Sequence, residues 1–456
     1  MTRHCYNHTT NLSAEITNSS VSSMLNEHPS FLTSNDDVSN SPVSRHAVST
    51  TELDGTIVRL LTDMFEAGKF SSTVEVAEQL LIQFPGSVFI LNVLAECHGK
   101  LGNDIEAINF YQSTMKSIEP NKDSQTCNDY LPNIHNNMGV CLKSVGFLDL
   151  SEDSLKKAIK LDPKSSTAYN NYGNLLSDQA KIQDAQKSFL KAIELDSSNY
   201  KAYWNLHSTV DNPVHAREII ELCLAQAPTF PDGIFTLAGL KAFSGDTSHF
   251  DQLMKTEFAS HPILTSIEWV LSLPTLPEVH FNRWSVFDRA VDHSDSSRPF
   301  YEFGVWMGDS FKYLMRSFST GYGFDTFEGL PETWRSVPKG AYTSYGAIPQ
   351  IEGAQFIVGE FNETLPKFFE KPRPKASLIN FDADLYSSTL CALLNAKPVI
   401  DADTILIFDE FIINDNWQED EFKALNEFCV LKGFSYEVLI VSLFTKQAVI
   451  RLLAKK

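Results

Sequence analysis

At 456 residues the chain is long enough for two or three domains, and its 43% hydrophobic and 21% charged residues are those of an ordinary globular protein. A net charge of −20 argues against nucleic acid or an anionic membrane as partner, and no apolar run reaches membrane-span length. Seven scattered cysteines without a Cys-x-x-Cys pair argue against a disulfide framework or zinc ribbon, and the first residues lack the basic-then-apolar order of a secretion signal, so a cytoplasmic protein is expected.

Residues 1–50 are rich in Ser, Thr, Asn and His and poor in large apolar residues, too few to offset the entropy of ordering, so a disordered tail is expected. Residues 54–245 are repetitive. Tyr169, Tyr172, Gly173, Leu176, Ala180, Ala185, Phe189, Ala192 and Leu195 occupy the tetratricopeptide consensus positions in order. One period of 34 residues earlier stand His135, Met138, Gly139, Leu142, Gly146, Leu155, Ala158, Leu161 and Pro163. Gly102, Ala107, Tyr111 and Pro120 mark an earlier copy, Gly68 and Pro85 a degenerate first one, and Tyr203, Leu206, Ala216 and Pro228 a later one with a shortened turn. Small residues let paired helices approach, and large ones fill the layer between hairpins. This stretch resembles the tetratricopeptide family. The resemblance implies either a concave surface for a protein partner or an array that packs on its neighbouring domain and supports a homo-oligomer. Residues 246–297 read as a helical connector, with helical spacing of Trp284, Phe287 and Ala290.

From 298 to 456 strands and helices alternate, with strands expected over 299–305, 321–327, 354–361, 376–384, 403–411, 436–444 and 448–453. Five βα units closed by a hairpin predict a seven-stranded, doubly wound Rossmann-like sheet, so the fold class is α + α/β, a helical solenoid followed by that sheet. Glu302-Phe-Gly-Val-Trp-Met-Gly-Asp-Ser lies at the first strand-to-helix turn. It matches neither the dinucleotide fingerprint nor a phosphate loop, and no Lys or Arg follows to meet a phosphate, which points to a nucleoside-like ligand such as S-adenosyl-L-methionine. Asp325 ends the second strand, where it can accept from ribose hydroxyls. Asp382 and Asp384 end the fourth strand, Asp409 and Glu410 the fifth. Neighbouring strand ends would gather these carboxylates, and a hard divalent cation, Mg²⁺, would relieve their repulsion. Histidine is absent after residue 293, so a general base must be a carboxylate, Tyr or Lys. The natural division gives Asp382 to the metal and Asp384 to a substrate hydroxyl. The alternative for Asp384 is to cap the helix starting near Ser387. The connection 328–353, with Trp334, Tyr342 and Tyr345, can form a lid, or an ordinary surface loop.

The blocks Glu302-Phe-Gly-Val-Trp, Phe324-Asp-Thr-Phe-Glu-Gly-Leu-Pro-Glu, Thr364-Leu-Pro, Asp382-Ala-Asp-Leu-Tyr-Ser-Ser-Thr and Phe408-Asp-Glu resemble the macrocin O-methyltransferase family over residues 299–453. That resemblance implies a class I, S-adenosylmethionine-dependent and typically Mg²⁺-assisted enzyme acting on a hydroxyl of a sugar or other small polyhydroxylated acceptor. It implies that Glu302, Gly304, Gly308, Ser310, Asp325 and Asp382 line the cofactor site, that Asp382, Asp409 and Glu410 hold the metal, and that Asp384 is the base. Glu410 departs from the aspartate usual at its position and reaches one methylene further. Two other readings remain at this level: methylation of a protein captured by the repeats, and a scaffold with an inactive methyltransferase fold.

Overall fold

Small residues set the architecture of the N-terminal half. In the computed structural model, which describes residues 53–118 and 125–454 and only the backbone of 125–129, helices stack in hairpins. The expected tail over 1–50 and Pro120 lie outside the described residues. The pairs are α1 (Gly55–Glu66) with α2 (Phe70–Gln83), α3 (Val88–Lys100) with α4 (Asp104–Ile118), α5 (Gln125–Ser144) with α6 (Leu148–Leu161), and α7 (Ser166–Asp178) with α8 (Ile182–Leu195). A shortened pair follows, α9 (Tyr200–Leu206) and α10 (Pro213–Gln226). A Cβ on Gly173 would stand 2.4 Å from Phe189 Cε1, and one on Gly139 would stand 2.7 Å from Leu155 Cγ, so these helices approach as only glycine allows. Adjacent repeats are tied by side-chain amides: Asn171 Nδ2 donates to Asn136 Oδ1 and Asn205 Nδ2 to Asn170 Oδ1, both at 2.9 Å.

The array continues through α11 (Pro231–Phe243), α12 (Ser248–Leu253) and α13 (Pro262–Leu271) into strand β1 (Glu278–His280) and helix α14 (Arg283–Asp292). The connector is therefore not helical throughout. Seven further strands follow: β2 (Phe300–Phe303), β3 (Gly321–Asp325), β4 (Ala354–Val358), β5 (Leu378–Phe381), β6 (Ile405–Phe408), β7 (Phe434–Ser442) and β8 (Ala448–Ala454). They form one sheet in the order β1-β7-β8-β6-β5-β2-β3-β4, with β8 antiparallel to both neighbours and the other pairs parallel. The fold class stands as expected, with eight strands rather than seven because β1 adds to the edge beside β7. Helices α15 (Asp309–Leu314), α16 (Phe361–Phe369), α17 (Tyr386–Ala396) and α18 (Glu421–Lys432) follow β2, β4, β5 and β6. The expected fifth βα unit is absent, because β3 reaches β4 through a loop without an α-helix.

Both faces of the sheet are covered, which explains the nearly continuous apolar strand sequences. Alternate residues divide between two cores. Tyr301, Phe303, Ile379, Phe381, Leu406 and Phe408 pack with Ala216 and Ile220 of α10 and Phe235 of α11. Phe300, Leu378, Ile405 and Ile407 pack with Trp284 and Phe287 of α14, against which Ala180 and Ile182 also rest. Array and sheet thus share apolar cores within a single unit from Leu53 onward.

Candidate functional site

A row of phenylalanines sets the level of the site. Phe324, Phe303, Phe381 and Phe408 stand opposite one another on β3, β2, β5 and β6. Their rings stack at centroid distances of 4.8, 5.4 and 4.8 Å with interplanar angles of 17°, 17° and 10°. Such cross-strand pairs fix register. The residue after each ring is Asp325, Gly304, Asp382 or Asp409, so one register brings all four to the same rim. Three ladder bonds hold them level: Gly304 N to Phe324 O at 2.9 Å, Asp382 N to Phe303 O at 2.8 Å, and Asp409 N to Phe381 O at 3.0 Å.

Above the rim lies a cavity of about 980 Å³ lined by Gly304, Gly308, Ser310, Asp325, Asp382, Asp384, Asp409 and Glu410. That volume is at the upper end for a small-molecule site. Glu302 does not line it. It is fully buried behind the wall, its Oε1 accepting from Ser310 Oγ and its Oε2 without a partner among the described residues. Burial pushes its carboxyl up to about 8. Gly304 has φ 90°, and a Cβ there would fall 1.8 Å from the Asp382 carbonyl oxygen, so the turn requires glycine. Gly308, at φ 84°, precedes α15. Asp325 Oδ2 accepts from Val305 N at 2.6 Å and Trp306 N at 2.8 Å, and its Oδ1 from Phe327 N at 2.7 Å. It therefore shapes the glycine turn, and of roughly four acceptor positions on a carboxylate one remains.

The four C-terminal carboxylates meet as expected, but with partners the sequence reading did not name. Arg283, at the start of α14, places Nη2 2.6 Å from Asp409 Oδ2, and Gln447 Nε2 donates to Asp409 Oδ1 at 2.6 Å. Lys446 Nζ lies 3.0 Å from both carboxylate oxygens of Glu410. Asp382 and Asp384 are half-buried. Burial, then Glu410 and Asp409, pushes the Asp384 carboxyl up to about 8, and burial with Asp409 raises Asp382. Glu421, fully buried, accepts from Glu410 N at 2.9 Å and is also raised, first by burial and then by Asp409. Asp384 itself has φ 57°, and α17 starts after Leu385 with no side-chain cap, so the capping alternative for Asp384 is not realised.

These contacts test the expected Mg²⁺ site. Mg²⁺ demands near-octahedral oxygen ligands at about 2.1 Å. Both Asp409 oxygens and both Glu410 oxygens already face nitrogen donors, and no group of three or more His, Cys, Asp or Glu that could hold a metal is present among the described residues. The donor set does not fit Mg²⁺. A nucleoside-like donor does fit, since the glycine turn, Asp325 and Asp382 border one large cavity.

The rest of the wall comes from elsewhere in the chain. Asn174, Ser177, Asn205 and Ser208 of the repeat array line the same cavity. Of the proposed lid, buried Trp334 and exposed Tyr342 reach it, while Tyr345 does not. The lid segment is pinned where Arg335 pairs with Asp420 and donates to Asn414. The one advance signal for Arg283 was Asn282, an N-cap residue before a helical pattern; its Oδ1 accepts from Ser285 N at 2.8 Å.

Residues 154–187 match the tetratricopeptide repeat family. A 138-residue stretch is 30% identical to 8-demethyl-8-(2,3-dimethoxy-alpha-L-rhamnosyl)-tetracenomycin-C 4'-O-methyltransferase of Streptomyces olivaceus, covering 28% of this chain and 49% of that relative. The chain thus spans about half the length of the curated relative it matches. Among solved structures, it is similar to the O-methyltransferase NovP (17% identity, 38% of this chain and 80% of that one, TM-score 0.29). It is also similar to the calicheamicin methyltransferase CalS11 (19% identity, 46% and 91%, TM-score 0.31). Repeat match and curated relative together support a tetratricopeptide array fused to a methyltransferase-like domain. No helix among the described residues is long and apolar enough to cross a membrane.

Proposed function

We propose that the protein transfers a methyl group from S-adenosyl-L-methionine to a hydroxyl of a sugar or another small polyhydroxylated acceptor, as a cytoplasmic enzyme. One observation carries the reading: the phenylalanine register sets Gly304, Asp325, Asp382 and Asp409 at one rim, with Asp384 beside them in one cavity. The curated relative, by its name, methylates the 4' oxygen of a rhamnosyl group, which supports a glycoside as acceptor. The donor, bound along the glycine turn beside Asp325 and Asp382, supplies an already activated methyl group. The chain's tasks are then to hold the acceptor oxygen in line and to take its proton.

Asp384 is the group for that proton. It lines the cavity, and its carboxyl, raised to about 8, is matched to abstraction near neutral or mildly alkaline pH. Ser310, held by Glu302, and the Gly304–Gly308 turn form the donor side. Mg²⁺ enters no step of this reading, because Asp409 and Glu410 are engaged by Arg283, Gln447 and Lys446. The test combines calorimetry of S-adenosylhomocysteine on the full chain with labelled-methyl transfer to a panel of rhamnosides and other glycosides. Micromolar product binding and transfer to a glycoside hydroxyl are expected; failure of S-adenosylhomocysteine to bind overturns the proposal.

A second reading is favoured by the array residues in the cavity wall. A peptide lying along Asn174 and Asn205 would lead directly to Asp384. Label appearing on co-purified protein rather than on any glycoside would select that reading. Product binding with no transfer to either class would select a scaffold that retains the fold.

A further inference from the structure

We propose that Arg283 and Lys446 are resident counter-ions which, with the neutral donor Gln447, close Asp409 and Glu410 against a divalent cation. Two segments far apart in sequence converge to do this. Arg283 opens α14 and pairs with Asp409 across 126 positions of sequence. Lys446 and Gln447 come from the turn between β7 and β8 and engage Glu410 and Asp409.

Each partner is held from behind, so none is a free surface side chain that happens to reach inward. Asn282, immediately before Arg283, donates through Nδ2 to Ser208 O at 3.0 Å, and Trp284, immediately after, donates through Nε1 to Ser177 O at 2.6 Å. The repeat array thus grips Arg283 on both sides and aims it at the sheet rim. On the other flank, Gln447 O accepts from Ser442 N at 2.9 Å and Lys446 O from Ile412 N at 3.2 Å, which fixes the hairpin turn over β6.

The geometry leaves a cation nothing to coordinate on these two acids. Asp409 has a guanidinium nitrogen on one oxygen and an amide nitrogen on the other, and Glu410 has an ammonium on both. An ion at about 2.1 Å from these oxygens would share their space with two positive side chains, a like-charge conflict. Glutamate at 410 is part of the device, since its additional methylene carries the carboxylate towards Lys446. Bidentate-capable Arg suits the buried partner, and the more exposed lysine suits the outer one.

Titration of the full chain with Mn²⁺ alone, followed by electron paramagnetic resonance, tests this without reference to methyl transfer, so its outcome is separable from that of the proposed activity. Wild-type protein is expected to show no site tighter than about 1 mM. Arg283→Ala combined with Lys446→Met removes both positive side chains, freeing Glu410 and the Oδ2 oxygen of Asp409, and is expected to gain Mn²⁺ affinity by at least about tenfold. Arg283→Lys, which keeps the charge, is expected to stay closed. Stoichiometric micromolar Mn²⁺ binding by the wild type overturns the proposal, and that measurement stands even if the double variant does not fold. A folded double variant, judged by an unchanged circular dichroism spectrum, that gains no Mn²⁺ affinity overturns it as well.

Discussion

The repeat array and the sheet rim are built from opposite kinds of information. In the array, partners lie close in sequence: Gly139 faces Leu155 and Gly173 faces Phe189, each within one helical hairpin. At the rim, Gly304, Asp325, Asp382 and Asp409 come from four strands, and Arg283 reaches them from outside the sheet order altogether. Damage should differ accordingly. A local misfit in the array can relax within its hairpin, whereas a misfit at the rim propagates through a register shared by four strands.

Two glycine substitutions put that contrast to measurement. Gly304→Ala drives a Cβ to 1.8 Å from a backbone oxygen at positive φ, with no flexible atom to yield. S-adenosylhomocysteine affinity is expected to fall by more than about a hundredfold. Gly173→Ala meets the edge of the Phe189 ring at 2.4 Å, at a helical φ. It should cost roughly 1–3 kcal/mol of stability in denaturant unfolding and leave product affinity unchanged. Equal effects on binding from the two would refute the local-versus-shared distinction.

Asp384→Asn acts on turnover rather than on binding. It removes the proposed proton acceptor and keeps the shape, so kcat is expected to drop about 10²–10⁴-fold with S-adenosylhomocysteine affinity retained. The wild-type rate should rise with pH through a limb near 8, where the raised Asp384 carboxyl ionises. Because the folded group holds a proton that the unfolded chain releases in the ordinary carboxylate range, its contribution to stability is complete below about 4 and declines as pH rises through about 8. Asp384→Asn should therefore gain stability relative to wild type between pH 5 and 8, read as the difference in Tm across that range. A pH-independent difference would show that Asp384 titrates normally.

What could be read in the sequence follows the same division. The array's period, the strands from 299 to 453 and the carboxylate ends were legible because each is a local pattern, and a Phe-Gly or Phe-Asp step closes four of those strands, at 303, 324, 381 and 408. Strand β1 was not, since three residues carry no periodicity and its pairing with β7 is decided by tertiary contact. Arg283, Lys446 and Gln447 were missed for a related reason: a cation's partner is set by where the chain returns, and the spacing to Asp409 carries no motif. The count of five βα units was one too many; between β3 and β4 the aromatic connection containing Trp334 and Tyr342, legible as a loop, takes the crossover and supplies cavity wall.

The smallest effect is expected at the seam between the two regions. Trp284 packs among the sheet-side residues, 4.6 Å from the Tyr313 ring, while its indole nitrogen donates to Ser177 O at 2.6 Å. Ser177 lies in the last turn of α7, where its carbonyl oxygen also accepts from Ala180 N at 3.0 Å, so the indole adds a further bond from the other region to the end of that helix. Trp284→Phe keeps an aromatic ring and deletes the donor, and should lower stability by about 1 kcal/mol. Scanning calorimetry would register this as a small drop in Tm, with S-adenosylhomocysteine affinity within twofold of wild type. A large loss of affinity instead would mean that the array's grip on residues 282–284 sets the position of the rim, and that the two regions work as one.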